Sequence, residues 1–164
     1  MPIGTCVLLW LLTFLQAVRN EYTALPFYNQ KGDVSRMISE KQATLLAQPK
    51  TAILGVNRVQ GAPQLTAVWF FWDGKDFYLS TSKDRAKYSN MKRNPAISLL
   101  VEDAATFTSV TAYGRAEIIE HDIAALTRPI IEKYVPESMR EQSLTDIMND
   151  PKRVIVILHP EKII

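Results

Sequence analysis

The sequence predicts a mainly β protein: a small antiparallel barrel of six strands with helices at its periphery. Three observations predict it. Runs rich in β-branched and aromatic residues recur along the chain, separated by short turn signals such as Gln60-Gly61 and Asp73-Gly74. The longest run, Phe107 to Ile119, carries Gly114 in its interior, as a barrel strand does where it bulges or bends sharply. The helical segments between these runs are few and short. At 164 residues and 47% apolar, the chain can bury one ordinary core.

The elements follow in order. Residues 1–36 read as an extension ahead of the working fold. Pro2 to Val18 (PIGTCVLLWLLTFLQAV) carries no charge, which puts it at the lower limit of a spanning helix, about 17 to 25 residues. It lacks the basic start of a secretory signal, and LQA is a poor small-x-small cleavage site. An extension outside the fold is favoured over a membrane anchor, with a secretory signal last. Membrane contact is expected only if residues 2–18 form an anchor, and Arg19 would then hold the following domain on the cytoplasmic side. The expected location is the cytoplasm. Asn20 to Arg36, with Pro26 and Gly32, reads as a linker, so the domain is expected to span residues 37–164.

Ser39 with Gln42 three residues on forms a capping box that opens a helix through Ala47, and Pro49 ends it. Strands are expected at Thr51–Arg58, Pro63–Trp72 and Asp76–Thr81, the last two joined by a two-residue hairpin at Asp73-Gly74. Ser82 is placed to cap a helix over Lys83 to Arg93, closed by Asn94-Pro95. Ala96–Glu102 and Phe107–Ile119 continue the sheet. Two helical segments follow, His121–Tyr134, which Pro129 should kink or break, and Pro136–Asn149, with Pro136 in its first turn. Arg153–Pro160 (RVIVILHP) is a last strand, apolar on both faces and therefore buried on both.

Composition removes several function classes. A net charge of +2 is not that of a polyelectrolyte built for nucleic acid. Cys6 is the single cysteine, so no intrachain disulfide forms. His121 and His159 stand far apart with no second ligand near either, so no metal is expected. Neither GxGxxG nor GxxxxGK[ST] occurs.

The charge that exists is concentrated. STSKDRAKYSNMKRNP (Ser80 to Pro95) brings Lys83, Arg85, Lys87, Lys92 and Arg93 against Asp84, a local excess of four positive charges in a nearly neutral chain. Hydroxyls at a strand end, followed at once by a helix start, offer donors to an anion. Arg85 adds a fork for two phosphate oxygens, and Lys87 a point charge. The two lie about 200° apart around a regular helix, so both reach one ligand only if the first turn is irregular. A solvated helix face is the bland reading of the same charges. A third reading, stacking of nucleic-acid bases on Trp69, Trp72 and Tyr78, is the weakest, because aromatics at strand spacing are more often core.

The segment GAPQLTAVWFFWDGKDFYLSTSKDRAKYSNMKRNPAISLLVED (Gly61 to Asp103) resembles the flavin-binding split-barrel family related to pyridoxamine 5′-phosphate oxidase. Within it, the small proteins that use the deazaflavin coenzyme F420 are the most similar branch. The resemblance spans Met37 to the C-terminus. It rests on the order and spacing of Gly61-x-Pro63, the Trp69 strand, Asp73-Gly74, Ser80/Thr81, Arg85-x-Lys87, Asn90 and Asn94-Pro95. It implies a split barrel and a homodimer whose sites are shared between the two chains. It also implies that Arg85 and Lys87 hold the cofactor phosphate, that Gln64, Leu65, Thr66, Ser80 and Thr81 line the ring, and that Asn90 is a further cofactor-binding residue.

Two departures bear on activity. Ala67 stands where many relatives have Pro. The chain ends HPEKII with no Trp after Trp72, whereas the amine-oxidising members close on a segment with Arg and Trp that contacts pyridoxal phosphate, so that reaction is disfavoured. The implied function is hydride transfer from reduced F420 to a C=C bond of a conjugated small molecule. The alternatives are an FMN-dependent oxidase or reductase and a non-catalytic flavin- or haem-binding barrel. Tyr113 and His121 are available proton donors, but no residue of the sequence stands out as catalytic.

Overall fold

The computed structural model describes residues 38–164. Among them, seven strands form one antiparallel sheet, curled into a half-barrel, with four α-helices around it. The strands are β1 (Ala52–Val56), β2 (Gln64–Val68), β3 (Phe71–Trp72), β4 (Phe77–Ser82), β5 (Ala96–Asp103), β6 (Thr108–Ile119) and β7 (Arg153–Ile163). Their order across the sheet is β2-β1-β5-β6-β7-β4-β3. The helices are α1 (Glu40–Ala47), α2 (Ala86–Arg93), α3 (Ile123–Tyr134) and α4 (Arg140–Met148).

The seventh strand arises where one long strand was expected, over Pro63–Trp72. The chain leaves β2 at one edge of the sheet and enters β3 at the opposite edge, with only Trp69 and Phe70 between them. Phe70 is fully buried, and its N–H is donated to the Tyr134 hydroxyl (3.3 Å) instead of to a strand. An unbroken apolar run does not announce this crossing, because strand propensity is the same on both sides of it. The dipeptide is the seam at which the barrel is split.

Alternation fixes what faces the core. β5 buries Ile97, Leu99, Val101 and Asp103 and turns the residues between them outward. In β7 Val154, Ile155 and Val156 are all buried, as the apolar run predicts, since α3 packs against β4 and β7 from outside the barrel. The register of β6 on β7 slips between Tyr113 and Gly114, which is the expected irregularity. A Cβ at Gly114 would overlap the carbonyl oxygen of His159, so the close approach requires glycine.

The capping box at Ser39 forms with both bonds in place. The Asp73-Gly74 hairpin is longer than expected. Asp73 to Asp76 lie between β3 and β4, Gly74 takes φ +101°, and Asp73 Oδ1 accepts from the N–H groups of Lys75 and Asp76. Pro129 does not break α3, which runs through it to Tyr134 while Ile130 and Ile131 are buried. Pro136 precedes a 3₁₀ turn, Glu137–Met139, instead of opening a helix.

The helix expected from Lys83 starts only at Ala86, and Ser82 does not cap it. Ser82 remains the last paired residue of β4, opposite Arg153. The Lys83 N–H is donated to the Lys152 carbonyl and the Arg85 N–H to that of Ser82, so the chain finishes the ladder and turns before it coils. Arg85 is left at the cap position with an extended backbone (φ −84°, ψ 135°). The angular separation of a regular helix therefore does not apply to Arg85 and Lys87. Among the described residues no helix is long and apolar enough to cross a membrane.

Candidate functional site

The five cations of the basic stretch meet different fates. Lys83 pairs with Glu120 (2.6 Å), and Arg93 donates to the Asn57 carbonyl (2.7 Å). Lys92 is exposed, 5.6 Å from the Tyr88 ring centroid. The side chains of Arg85 and Lys87 have no hydrogen-bond or ion-pair partner among the described residues, and Lys87 is half-buried. Burial lowers the pKa of the Lys87 ammonium, and the positive charges of Arg85 and Arg153 push it the same way. Of these three neighbouring cations only Arg153 has a carboxylate partner, Asp150 (3.3 Å), which leaves the Lys87 and Arg85 charges open to an anion.

Lys87 faces a cavity of about 450 Å³ beside the seam. One wall is apolar, built from Ala67, Val68 and Trp69 where β2 ends and from Ile130, Ile131 and Ile147 on α3 and α4. Trp69 is half-exposed and stacks on Tyr134. The other wall is polar and comprises Thr51, Ser80, Lys87, Thr127 and Arg153. Within that wall the Ser80 and Thr127 hydroxyls and the Arg153 Nε are buried without a hydrogen-bond partner. A buried donor left unpaired costs about 1–3 kcal/mol, so three in one cavity point to a polar ligand group that satisfies them.

The expected site residues divide. Ser80 and Lys87 line this cavity, and Arg85 acts on Lys87 from an exposed position beside it. Thr81 lies on the opposite face of β4 from Ser80, buried, so the two hydroxyls cannot serve one ring together. Gln64 and Asn90 meet each other, Asn90 Nδ2 donating to Gln64 Oε1 (3.2 Å). Thr66 follows the inward side of β2, while Leu65, 70% exposed, stands on the outer face. That outer face holds a second cavity of about 320 Å³ near Gly55, Ser98 and Tyr113. Tyr113 and His121 both lie outside the larger cavity.

Sequence reasoning missed Thr51, Thr127, Arg153 and the isoleucines of α3 and α4. Two signals were present. Arg153 is a charge at the head of a strand otherwise buried on both faces, and Thr127 is a lone hydroxyl preceding Ile130 and Ile131 at helical spacing.

Together these features define a split barrel with a basic, aromatic-walled cavity at its seam. The chain belongs to the pyridoxamine 5′-phosphate oxidase family, whose model matches residues 38–164. Among solved structures it is similar to an F420 reductase at 25% identity, with a TM-score of 0.62 over 77% of this chain and 98% of that one. A conserved hypothetical protein from Mycobacterium tuberculosis is similar at 27% identity, with a TM-score of 0.65 over 83% and 88% of the two chains. General stress protein 26 from Bacillus anthracis, at 22% identity and a TM-score of 0.57 over 76% and 89%, shares the fold. No curated protein matches the chain.

Proposed function

We propose that this protein is an oxidoreductase that uses coenzyme F420 to reduce a C=C bond of a planar, conjugated small molecule. The observation that carries the reading is the pairing, in one cavity, of an unpartnered Lys87 and orphaned hydroxyls with the half-exposed Trp69. Phosphate needs the first group of residues, and a flat ring system needs the second. The likeness to an F420 reductase over nearly all of that chain supports the choice of cofactor.

When bound, the reduced deazaflavin supplies the hydride. The chain's own residues supply the rest. Arg85 and Lys87 balance the phosphate charge, Ser80 donates a hydrogen bond, and Val68, Trp69 and Ile131 give an apolar wall that excludes water from the ring. Among the described residues lining the cavity there is no carboxyl, histidine or tyrosine side chain, so this reading takes the proton from solvent.

FMN is the second reading. It offers the same phosphate to Lys87, and the family's own description is that of an oxidase, pyridoxamine 5′-phosphate oxidase. The deciding experiment is the absorption spectrum and mass of the cofactor that copurifies, followed by turnover of a panel of enones and quinones with enzymatically reduced F420. Loss of cofactor absorbance with saturation of the C=C bond is expected. Copurified FMN with peroxide formation would replace F420 by the oxidase, and a protein that turns over neither reduced cofactor would be a binding barrel.

The homodimer belongs to the same proposal. Outward-facing Ile53, Leu65, Leu100 and Tyr113 are exposed on four adjacent strands, β2, β1, β5 and β6, and an apolar sheet face of that width fits isologous pairing. Leu65→Arg is expected to shift the sedimenting species from dimer to monomer. A wild-type monomer would remove the shared-site arrangement.

A further inference from the structure

We propose that the phosphoryl group of the ligand is seated on Arg153 of β7, Thr127 of α3 and Ser80 of β4, three residues from separate elements, with Lys87 completing the charge. Thr127 carries the argument. It is 0% exposed, lies in the cavity wall, and its hydroxyl has no partner. A Thr in a helix normally satisfies its hydroxyl on a carbonyl of the preceding turn, as Thr44 does on Glu40 and Thr145 on Glu141. Thr127 forgoes that bond inside a face shared with Ile130 and Ile131, where an unused hydroxyl is costly.

Arg153 supplies the second observation. Asp150 holds one terminal nitrogen, Nη2 (3.3 Å), and fixes the guanidinium, while the buried Nε has no acceptor. Ser82 is the register partner of Arg153, so Ser80 is its diagonal neighbour on the same face of the β4–β7 pair. Three unpartnered donors and the unpaired Lys87 ammonium around one cavity match a tetrahedral oxyanion, which has acceptors to spare. An amide or a sugar would leave the Lys87 charge uncompensated. The phosphate monoester of FMN, the phosphodiester of F420 and free phosphate share this chemistry.

The inference rests on the reading of this cavity as the cofactor site and adds to it the residues of α3 and β7. The test follows the arginine Nε–H resonances of ¹⁵N-labelled full-length protein during titration with inorganic phosphate, FMN and F420. The signal lost in Arg153→Lys identifies Arg153. Phosphate and the preferred cofactor should shift that signal. Cofactor affinity should fall by at least about tenfold in Arg153→Lys and about three- to tenfold in Thr127→Val, with melting temperatures confirming that both variants fold. A shift with phosphate but with neither cofactor would support the seat and remove the cofactor reading. Unchanged cofactor affinity in both variants, with an unmoved Arg153 signal, would overturn the seat and leave Arg85 and Lys87 as the clamp. An unmoved signal with all three ligands would overturn it as well.

Discussion

The indole of Trp69 lies parallel to the phenol ring of Tyr134, with centroids 4.8 Å apart and planes 5° from each other. Trp69 belongs to the seam of the barrel and Tyr134 ends α3, so this stack ties the cavity's aromatic wall to the helix that closes it. The Tyr134 hydroxyl adds two bonds, donating to the Lys50 carbonyl (2.7 Å) and accepting from the Phe70 N–H (3.3 Å). Tyr134→Phe keeps the stack and orphans both groups, so it should lower unfolding free energy by about 1–3 kcal/mol in urea titrations. Tyr134→Leu should cost more, because the ring contact is lost too. Equal stability of wild type and Tyr134→Phe would show that the hydroxyl does not hold the seam.

Arg85→Ala and Lys87→Ala should each weaken cofactor binding by about 1.5–3 kcal/mol, the range for hydrogen bonds to charged groups. Lys92→Ala is the control, since Lys92 is exposed, lies over the Tyr88 ring and does not line the cavity. Lys83 is unsuitable as a control because its removal would free Glu120. Calorimetric titration in which both clamp variants bind as tightly as Lys92→Ala would remove the phosphate assignment from Arg85 and Lys87.

A pH dependence follows from His159. Its Nδ1 is 2.9 Å from Asp76 Oδ1 and its Nε2 2.8 Å from Glu117 Oε2. Partial burial opposes the charge, but the two carboxylates outweigh it and raise the pKa above 6.5. A pKa raised in the folded state stabilises fully below 6.5, and that contribution is lost as pH rises through the folded value. The stability advantage of wild type over His159→Gln should therefore be largest near about pH 5.5 and shrink by about pH 8.5. Thermal melts of the two proteins across that range measure it, and a constant gap would mean that His159 is not charged in the fold.

Gly114→Ala tests the bulge. Because the new Cβ would meet the His159 carbonyl and backbone atoms of Pro160, no rotamer change relieves it. The strands β6 and β7 must separate there, which should cost more than about 3 kcal/mol. A urea midpoint close to that of wild type would show that the pairing can slip by one residue without loss.

Much of the fold was legible because local chemistry encodes it. The capping box at Ser39, the glycine in the long strand and the doubly buried run before Pro160 each specify their element without reference to distant residues. Ser80 and Lys87, which line the cavity, were legible as candidates for the same reason, as a strand-end hydroxyl and a cation two residues beyond Arg85. The end of β2 at Val68 was not legible, because it depends on Tyr134, 64 residues from Phe70, accepting the Phe70 N–H. The start of α2 depends likewise on Lys152 holding Lys83 to the ladder.

The sequence by itself determined the strand-rich class, the hairpin signals and the concentration of positive charge between Lys83 and Arg93. Only the tertiary structure decided which of those charges remain unpaired, because Glu120 and the Asn57 carbonyl are remote in sequence and reach Lys83 and Arg93 through folding alone. It also decided that Thr127 and Arg153 share a cavity with Ser80 and Lys87. A binding site is a convergence of side chains from separate elements, and long-range packing sets that convergence where local propensity cannot.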